Sequence, residues 1–188
     1  MLSIAYGSNI SEKRMRQRCP SAQFIAKGYL DDTVLCFHYY ADIERAHGYI
    51  TPAVLWEIAD DEIENLDRAE GFPNHYKKES LVLIPKPQLS VDEMIALVGA
   101  DNVHVARNHM DVASGIWGTA YIMTDWKKNK WEKHNQQTPI EYVEHFLTGY
   151  KEQDFIGCYL HDLWYALYRG ENPPEYRGQK KELSPIEA

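Results

Sequence analysis

The order of strand-like and helix-like segments is the feature that most constrains the fold of this chain. Apolar runs rich in β-branched and aromatic residues predict strands over 1–6, 22–30, 33–40, 50–59, 79–84 and 116–124. Helical patterns interrupt these strands only irregularly in the first two thirds of the chain. A doubly wound parallel sheet needs alternating strands and helices, so this order instead favours an α+β domain with a curved or closed sheet.

Each of four predicted helices begins at residues that suit a helix N-terminus. The four helices and their starting signals are 11–18 (Ser11), 61–70 (Asp61 with Glu64), 90–98 (Ser90 with Glu93) and a helix that runs from Thr138-Pro139 to residue 149 or 150. The apolar face of 154–169 predicts a final helix. The polar residues 125–137 predict an exposed loop, and Pro52 is expected at the edge or the start of its strand.

The length and charge of the chain limit its class. A chain of 188 residues can form one domain with a sizeable core, which we place at 1–170, followed by a polar tail over 171–188. With a formal net charge of −8, the chain lacks the excess of basic residues typical of a nucleic-acid-binding protein. The start does not have the pattern of a signal peptide, and no stretch approaches the roughly 18 apolar residues of a membrane span. We therefore expect a soluble cytoplasmic protein without nucleic-acid or membrane partners.

The cysteines and histidines form no known metal-binding motif. Cys19, Cys36 and Cys158 are far apart and include no C-x-x-C pair, which argues against a zinc site or a disulfide framework. The eight histidines include no H-E-x-x-H motif. The chain also has no G-x-S-x-G nucleophile elbow, P-loop or dinucleotide fingerprint. The sequence therefore predicts neither a metal nor an organic cofactor.

Tyr6-Gly7-Ser8-Asn9 directly follows the first apolar strand. Gly7 permits backbone angles that other residues avoid, and the amides of Ser8 and Asn9 can converge on an anion. Such a turn can hold a carboxylate or an oxyanion. The alternative is an ordinary turn at a strand end, where Gly, Ser and Asn are common.

Glu70 ends the predicted helix in the segment Leu66-Asp67-Arg68-Ala69-Glu70-Gly71. The helix macrodipole is negative at that end, so an anionic side chain there is mildly destabilising. A carboxylate so placed can transfer a proton, although a solvated surface glutamate is the alternative interpretation. An anion-holding turn together with one acid is a pairing typical of an enzyme.

Several segments, in order, resemble a known family. They are Tyr6-Gly7-Ser8-Asn9, Arg18-Cys19-Pro20-Ser21-Ala22, Val54-Leu55-Trp56-Glu57-Ile58, the Glu70-Gly71 segment with Tyr76 downstream, Ala120-Tyr121-Ile122-Met123 and Thr138-Pro139. In this order and spacing, over most of residues 1–150, the chain resembles the γ-glutamylcyclotransferase-like family, which includes γ-glutamylamine cyclotransferases.

The resemblance implies a small mixed β-barrel flanked by helices and an intramolecular acyl transfer without a cofactor. In that reaction the α-amine of a γ-glutamyl group attacks its own γ-carbonyl and releases 5-oxoproline and a free amine. The site residues that the resemblance implies are Glu70 as acid and base, with Tyr6, Gly7, Ser8, Asn9, Tyr76 and Tyr121 around the glutamyl substrate.

Three departures from the family pattern bear on the substrate. Residues 85–115 look like an insertion that could cover the pocket or contact a partner. Thr51-Pro52-Ala53 stands where the family usually has a glycine, and the segment 125–137 is long. The leaving group could be an amine, an amino acid or a larger molecule. The alternative function is a non-catalytic module that binds a small ligand or a partner on the same fold, and the sequence leaves the oligomeric state open.

Overall fold

The strands of the protein close into a barrel in the computed structural model, which describes residues 1–107, 113–134 and 138–155. Within these ranges the strands are β1 (Leu2–Ala5), β2 (Gln23–His38), β3 (Tyr40–Glu57), β4 (Tyr76–Pro85), β5 (Val103–His104) and β6 (Gly115–Met123). The hydrogen-bonded order is β1-β3-β2-β4-β6-β5, and β1 also pairs with β6. Five strands therefore form a closed barrel, and β5 pairs beside one end of β6.

Helices flank this barrel. Within the described ranges the α-helices are α1 (Glu12–Arg18), α2 (Ile63–Glu70), α3 (Val91–Val98), α4 (Asp125–His134) and α5 (Ile140–Glu152). The pairing of β1 with β6 is parallel and the other strand pairs are antiparallel. The predicted α+β class, a small mixed barrel with helices, is therefore confirmed.

Strand β2 merges two predicted strands into one. The register of β2 against β3 shifts between Asp31 and Thr33, and Asp32 adopts a positive φ of 51°. Buried residues fall at even positions before this irregularity, such as Leu30, and at odd positions after it, such as Leu35. The two aspartates, which resemble a turn signal, are thus accommodated as a bulge that keeps apolar side chains directed at the core.

Strand β3 extends far beyond the predicted segment 50–59. Its residues 51–56 are all buried, as expected for a strand covered on both faces. Pro52 lies inside the strand opposite Tyr29, but β1 reaches only as far as Val54. Pro52 therefore occupies a position that is paired on one side, where a missing N–H is tolerated.

The predicted loop over 125–137 is wrong for the described residues 125–134, which form α4. The helix begins where the amides of Lys127 and Lys128 donate to the carbonyl of Thr124 at 2.9 and 3.0 Å. Its sequence lacks the apolar stripe that identifies a helix packed on a core. Periodicity therefore gave no signal for it, and residues 135–137 lie outside the described ranges.

The capping predictions have mixed outcomes. The box between Ser90 and Glu93 is present, with Glu93 N 3.3 Å from Ser90 Oγ and Ser90 N 2.8 Å from Glu93 Oε2. The predicted Asp61–Glu64 pair is wrong, because residues 60–62 form a 3-10 turn and α2 starts at Ile63 without a side-chain cap.

Two other helix ends also differ from the prediction. Ser11 precedes α1, but the carboxylate of Glu152 accepts the Glu12 amide at 2.9 Å, so a side chain of α5 caps α1. Helix α5 begins after Pro139 rather than Thr138 and continues to Glu152. The predicted helix over 154–169 and the tail over 171–188 fall almost wholly outside the described ranges.

The predicted insertion over 85–115 contains α3, a 3-10 turn over Ala100–Asn102 and β5. Met94 of α3 is fully buried, so this segment contributes to the hydrophobic core. Among the helices in the described part of the chain, none is long and apolar enough to cross a membrane.

Candidate active site

One cavity of about 50 Å³ brings the predicted site residues together. Its lining includes all seven of them, namely Tyr6, Gly7, Ser8, Asn9, Glu70, Tyr76 and Tyr121. Ser3, Ile4, Ala5, Arg18, Ala41 and Tyr142 complete the wall. Residues from β1, α1, β3, α2, β4, β6 and α5 thus meet at one point, although they are distant in sequence.

The turn after β1 forms one side of this cavity. Residues Ser8–Ile10 make a 3-10 turn in which Ile10 N donates to Gly7 O at 3.0 Å. The first amides of such a turn have no partner within it, and those of Ser8 and Asn9 donate to no acceptor in the described ranges. Gly7 has a φ of −104° and a ψ of −149°, so it does not adopt the left-handed conformation. A Cβ at Gly7 would lie 3.4 Å from the Tyr142 hydroxyl, so the glycine leaves open space in the cavity.

Helix α5 holds this turn in place by close packing. A Cβ at Gly149 would lie only 2.6 Å from the backbone nitrogen of Ser11, so a side chain there would push the helix away. Phe146 and Tyr150, one turn of helix apart, are almost completely buried. The position of the amides therefore depends on a helix more than a hundred residues downstream.

The C-terminal turn of α2 directs Glu70 into the cavity. Gly71 adopts the left-handed conformation at φ 64° and ends the helix, while Phe72 N donates to Asp67 O at 2.9 Å. This arrangement is a glycine C-cap. Asn9 Nδ2 donates to Glu70 Oε1 at 3.0 Å, and the guanidinium of Arg18 donates to the same oxygen. The side chains of Arg18 and Glu70 are each 16% exposed, so the ion pair is largely shielded from water.

Asn9 links the turn, the core and the acid. Its backbone carbonyl accepts the indole N–H of Trp56 at 3.1 Å, which fixes the residue against the barrel. Its Oδ1 is buried and has no partner in the described part of the chain. A buried acceptor without a partner is costly, so this oxygen is available for an N–H group of a bound ligand.

Four tyrosines also line the cavity, and each hydroxyl forms a hydrogen bond within the protein. Tyr6 donates to the carbonyl of Tyr121, Tyr76 donates to Ala41 O at 3.0 Å, and Tyr121 donates to Asp67 Oδ1 at 2.5 Å. The Tyr142 hydroxyl oxygen accepts the Ala41 amide at 3.2 Å.

The same four phenols are strongly disfavoured as anions. Burial raises the pKa of Tyr6 and Tyr76 well above the ordinary value, and it raises the pKa of Tyr142 to about 12. Burial, followed by the hydrogen bond to Asp67, also raises the pKa of Tyr121. The wall is therefore neutral and rigid near pH 7, and Glu70 is the acidic side chain that lines this cavity.

Solved structures of other proteins share this architecture. A structure named gamma-glutamyl cyclotransferase aligns with 96% of this chain and 93% of its own, with a TM-score of 0.60 and 19% identity. An uncharacterized human protein, loc79017, gives the same coverage and TM-score at 20% identity. The chain has a gamma-glutamyl cyclotransferase-like fold. The sequence matches no family model and no curated protein.

The cyclotransferase-like fold positions two residues to which sequence reasoning gave no role. Arg18 belongs to one of the segments that carried the resemblance, yet its ion pair with Glu70 depends on α1 lying beside α2. Tyr142 lies in the helix predicted to start at Thr138-Pro139, and the packing of α5 brings its hydroxyl to the cavity. The partners of both residues lie far away in sequence, so no local pattern could have identified them.

Proposed function

We propose that this protein is an enzyme that catalyses a cofactor-free intramolecular acyl transfer on a γ-glutamyl amine or γ-glutamyl amino acid. One observation carries the proposal. The Glu70 carboxylate faces a cavity that also holds the unpartnered amides of Ser8 and Asn9. A single acid beside backbone donors is what such a lactam-forming reaction needs.

The proposed reaction forms one C–N bond and breaks another. The α-amine nitrogen of the γ-glutamyl group attacks the γ-carbonyl carbon, and the C–N bond to the leaving amine breaks. Glu70 accepts the proton lost by the attacking amine and returns it to the leaving amine. The products are 5-oxoproline and a free amine, and no water is consumed. Because the ring closes within one molecule, holding the substrate in a folded shape supplies much of the rate.

Asn9 and the turn would orient the substrate in this reaction. The amides of Ser8 and Asn9 donate to a carboxylate or oxyanion of the glutamyl group. The unpartnered Oδ1 of Asn9 accepts an N–H of the attacking amine, while Nδ2 of the same side chain holds Glu70. The amine and the carboxylate that removes its proton would then share one positioning residue.

The test is a mass-spectrometric assay for 5-oxoproline. Purified protein is incubated with glutathione, γ-glutamyl amino acids and γ-glutamyl amines. We expect Glu70→Gln to remain folded, since a glutamine carbonyl can still accept from Asn9, and to lose about 10²- to 10⁴-fold in turnover. Glu64→Gln is the matched control, because Glu64 is exposed on the same helix, and we expect it to keep full turnover.

Two outcomes would contradict the proposal. Comparable turnover in Glu70→Gln and the unchanged protein would remove Glu70 from the mechanism. Saturable binding of γ-glutamyl compounds without 5-oxoproline would instead support a ligand-binding module on the same fold.

A further inference from the structure

A second group of chemically reactive side chains lies where β2 turns into β3. Cys36 and His38 are two residues apart on β2, so they project from the same face of the sheet. The strand register places Asp42 of β3 directly opposite Cys36. One ligand atom from each of the three residues lies within 4.8 Å of the others. The tight hairpin connection at Tyr39, which has a φ of 78°, brings the two strand ends together.

The spacing of these atoms matches that of ligands on one metal ion. Cys36 Sγ and His38 Nε2 are 3.7 Å apart. Zinc–sulfur and zinc–nitrogen bonds at a tetrahedral angle separate the two ligand atoms by about 3.5 Å. Glu44 Oε1 is 3.2 Å from His38 Nε2, against about 3.3 Å for nitrogen and oxygen ligands in the same geometry. The thiol–imidazole and imidazole–Glu44 separations therefore match those on one ion, and the Asp42 carboxylate lies within 4.8 Å of the thiol and the imidazole.

A cation, the Lys128 ammonium, already lies against the carboxylates of this cluster. Asp42 is completely buried and carries one oxygen that accepts the Met123 amide at 2.9 Å. Its other oxygen, Oδ2, lies 2.6 Å from the ammonium of Lys128, which is also 3.8 Å from Glu44. A lysine from α4 thus supplies the countercharge to two carboxylates that lie beside a thiol and an imidazole.

We propose that Cys36, His38, Asp42 and Glu44 bind one Zn²⁺ ion in place of the Lys128 ammonium. Cysteine, histidine and carboxylate together are a donor set that zinc accepts. On binding, the Cys36 thiol releases its proton to solvent as the sulfur–zinc bond forms, and the Lys128 side chain turns outward. The proposed role is structural, since the ion would fasten the end of the β2–β3 hairpin. This site does not depend on the proposed acyl transfer.

The test uses Co²⁺ as a spectroscopic probe of the metal-free protein. A thiolate ligand gives an intense charge-transfer band that oxygen and nitrogen ligands do not give. We expect the band to saturate at one equivalent of Co²⁺ and to disappear on addition of Zn²⁺. Cys36→Ser should lose the band, whereas Cys19→Ser and Cys158→Ser should keep it, because the proposal assigns neither cysteine to the metal.

Lys128→Gln provides a variant in which affinity should rise. Without the competing ammonium, we expect Co²⁺ and Zn²⁺ to bind at least about fivefold more tightly, since even an exposed ion pair contributes up to about 1 kcal/mol and Asp42 is buried. A cluster that does not bind metal would show no saturating metal binding in either protein, and removing Lys128 would only destabilise the fold by leaving Asp42 unpaired. Zinc should also raise the melting temperature of the unchanged protein and not that of Cys36→Ser or His38→Gln.

Several results would overturn the assignment. They are the absence of a charge-transfer band at equimolar Co²⁺, a band of equal strength in Cys36→Ser, and unchanged or weaker metal binding in Lys128→Gln. None of these readouts involves turnover, so they remain distinct from failure of the acyl-transfer proposal.

Discussion

The ion pair between Arg18 and Glu70 gives a prediction that can be worked out from the structure. The perturbation is a double-mutant cycle of Arg18→Gln, Glu70→Gln and the combined variant. The glutamine at position 70 can still accept from Asn9, so the cycle isolates the interaction between the guanidinium and the carboxylate. Both side chains are 16% exposed, which makes the pair neither a surface contact nor a fully buried one.

Its magnitude follows from that intermediate exposure. Exposed ion pairs contribute about 0.2–1 kcal/mol, and breaking a fully buried pair costs about 3–5 kcal/mol. We therefore expect a coupling energy of about 1–2 kcal/mol between Arg18 and Glu70. Screening by salt is weak for shielded charges, so most of the coupling should remain at high ionic strength.

The assay is urea unfolding of the four proteins at neutral pH, at low and at high salt. The coupling energy is the deviation from additivity of the free energies of unfolding. A coupling below about 0.4 kcal/mol would be within the scatter of independent sites and would refute the reasoning. A coupling that vanishes at high salt would show that water reaches the pair more freely than its exposure indicates.

Two further predictions concern the stability of the fold. Gly28→Ala should destabilise the fold by about 2 kcal/mol or more in urea unfolding. The reason is that the new Cβ would lie 2.0 Å from the carbonyl oxygen of Ile84 on β4. A loss of stability below about 0.5 kcal/mol would show that β2 and β4 can separate freely. Burial, followed by Glu62, raises the pKa of Cys19 from 9.0 to about 11, so the folded thiol keeps its proton when the unfolded thiol has lost it. The stability that this pKa difference contributes is complete below pH 9.0 and is lost as the pH rises through about 11. Cys19→Ala should therefore lose less stability than the unchanged protein over this pH range in urea unfolding. An equal loss in both proteins would exclude Cys19 as the cause.

The sequence predicted which segments form strands of the barrel better than it predicted where those strands begin and end. Alternating burial in β2 follows the pattern that predicted two strands, but the break at Asp31-Asp32 is a bulge rather than a turn. Local residue preferences cannot distinguish the two, because pairing with a neighbouring strand decides the outcome. Helix α4 was missed for a related reason, since its polar surface carries no apolar period.

The helix caps also divide into those set by local residues and those set by distant ones. Ser90 and Glu93 are three residues apart and bond to each other as the sequence predicted. The N-terminus of α1 instead receives the carboxylate of Glu152. A cap supplied from a distant helix has no local signature, and only the packing of α5 reveals it.

By itself the sequence determined the α+β class, the Gly-Ser-Asn turn after β1 and the glutamate at the end of α2. These follow from short-range effects, namely strand and helix preferences, glycine at a helix end and free amides at a turn. Only the tertiary structure decided that Arg18 and Asn9 hold Glu70, that α5 supports the turn, and that Asp42 lies opposite Cys36. These contacts depend on closure of the barrel and on strand register, which arise from the burial of many apolar side chains at once.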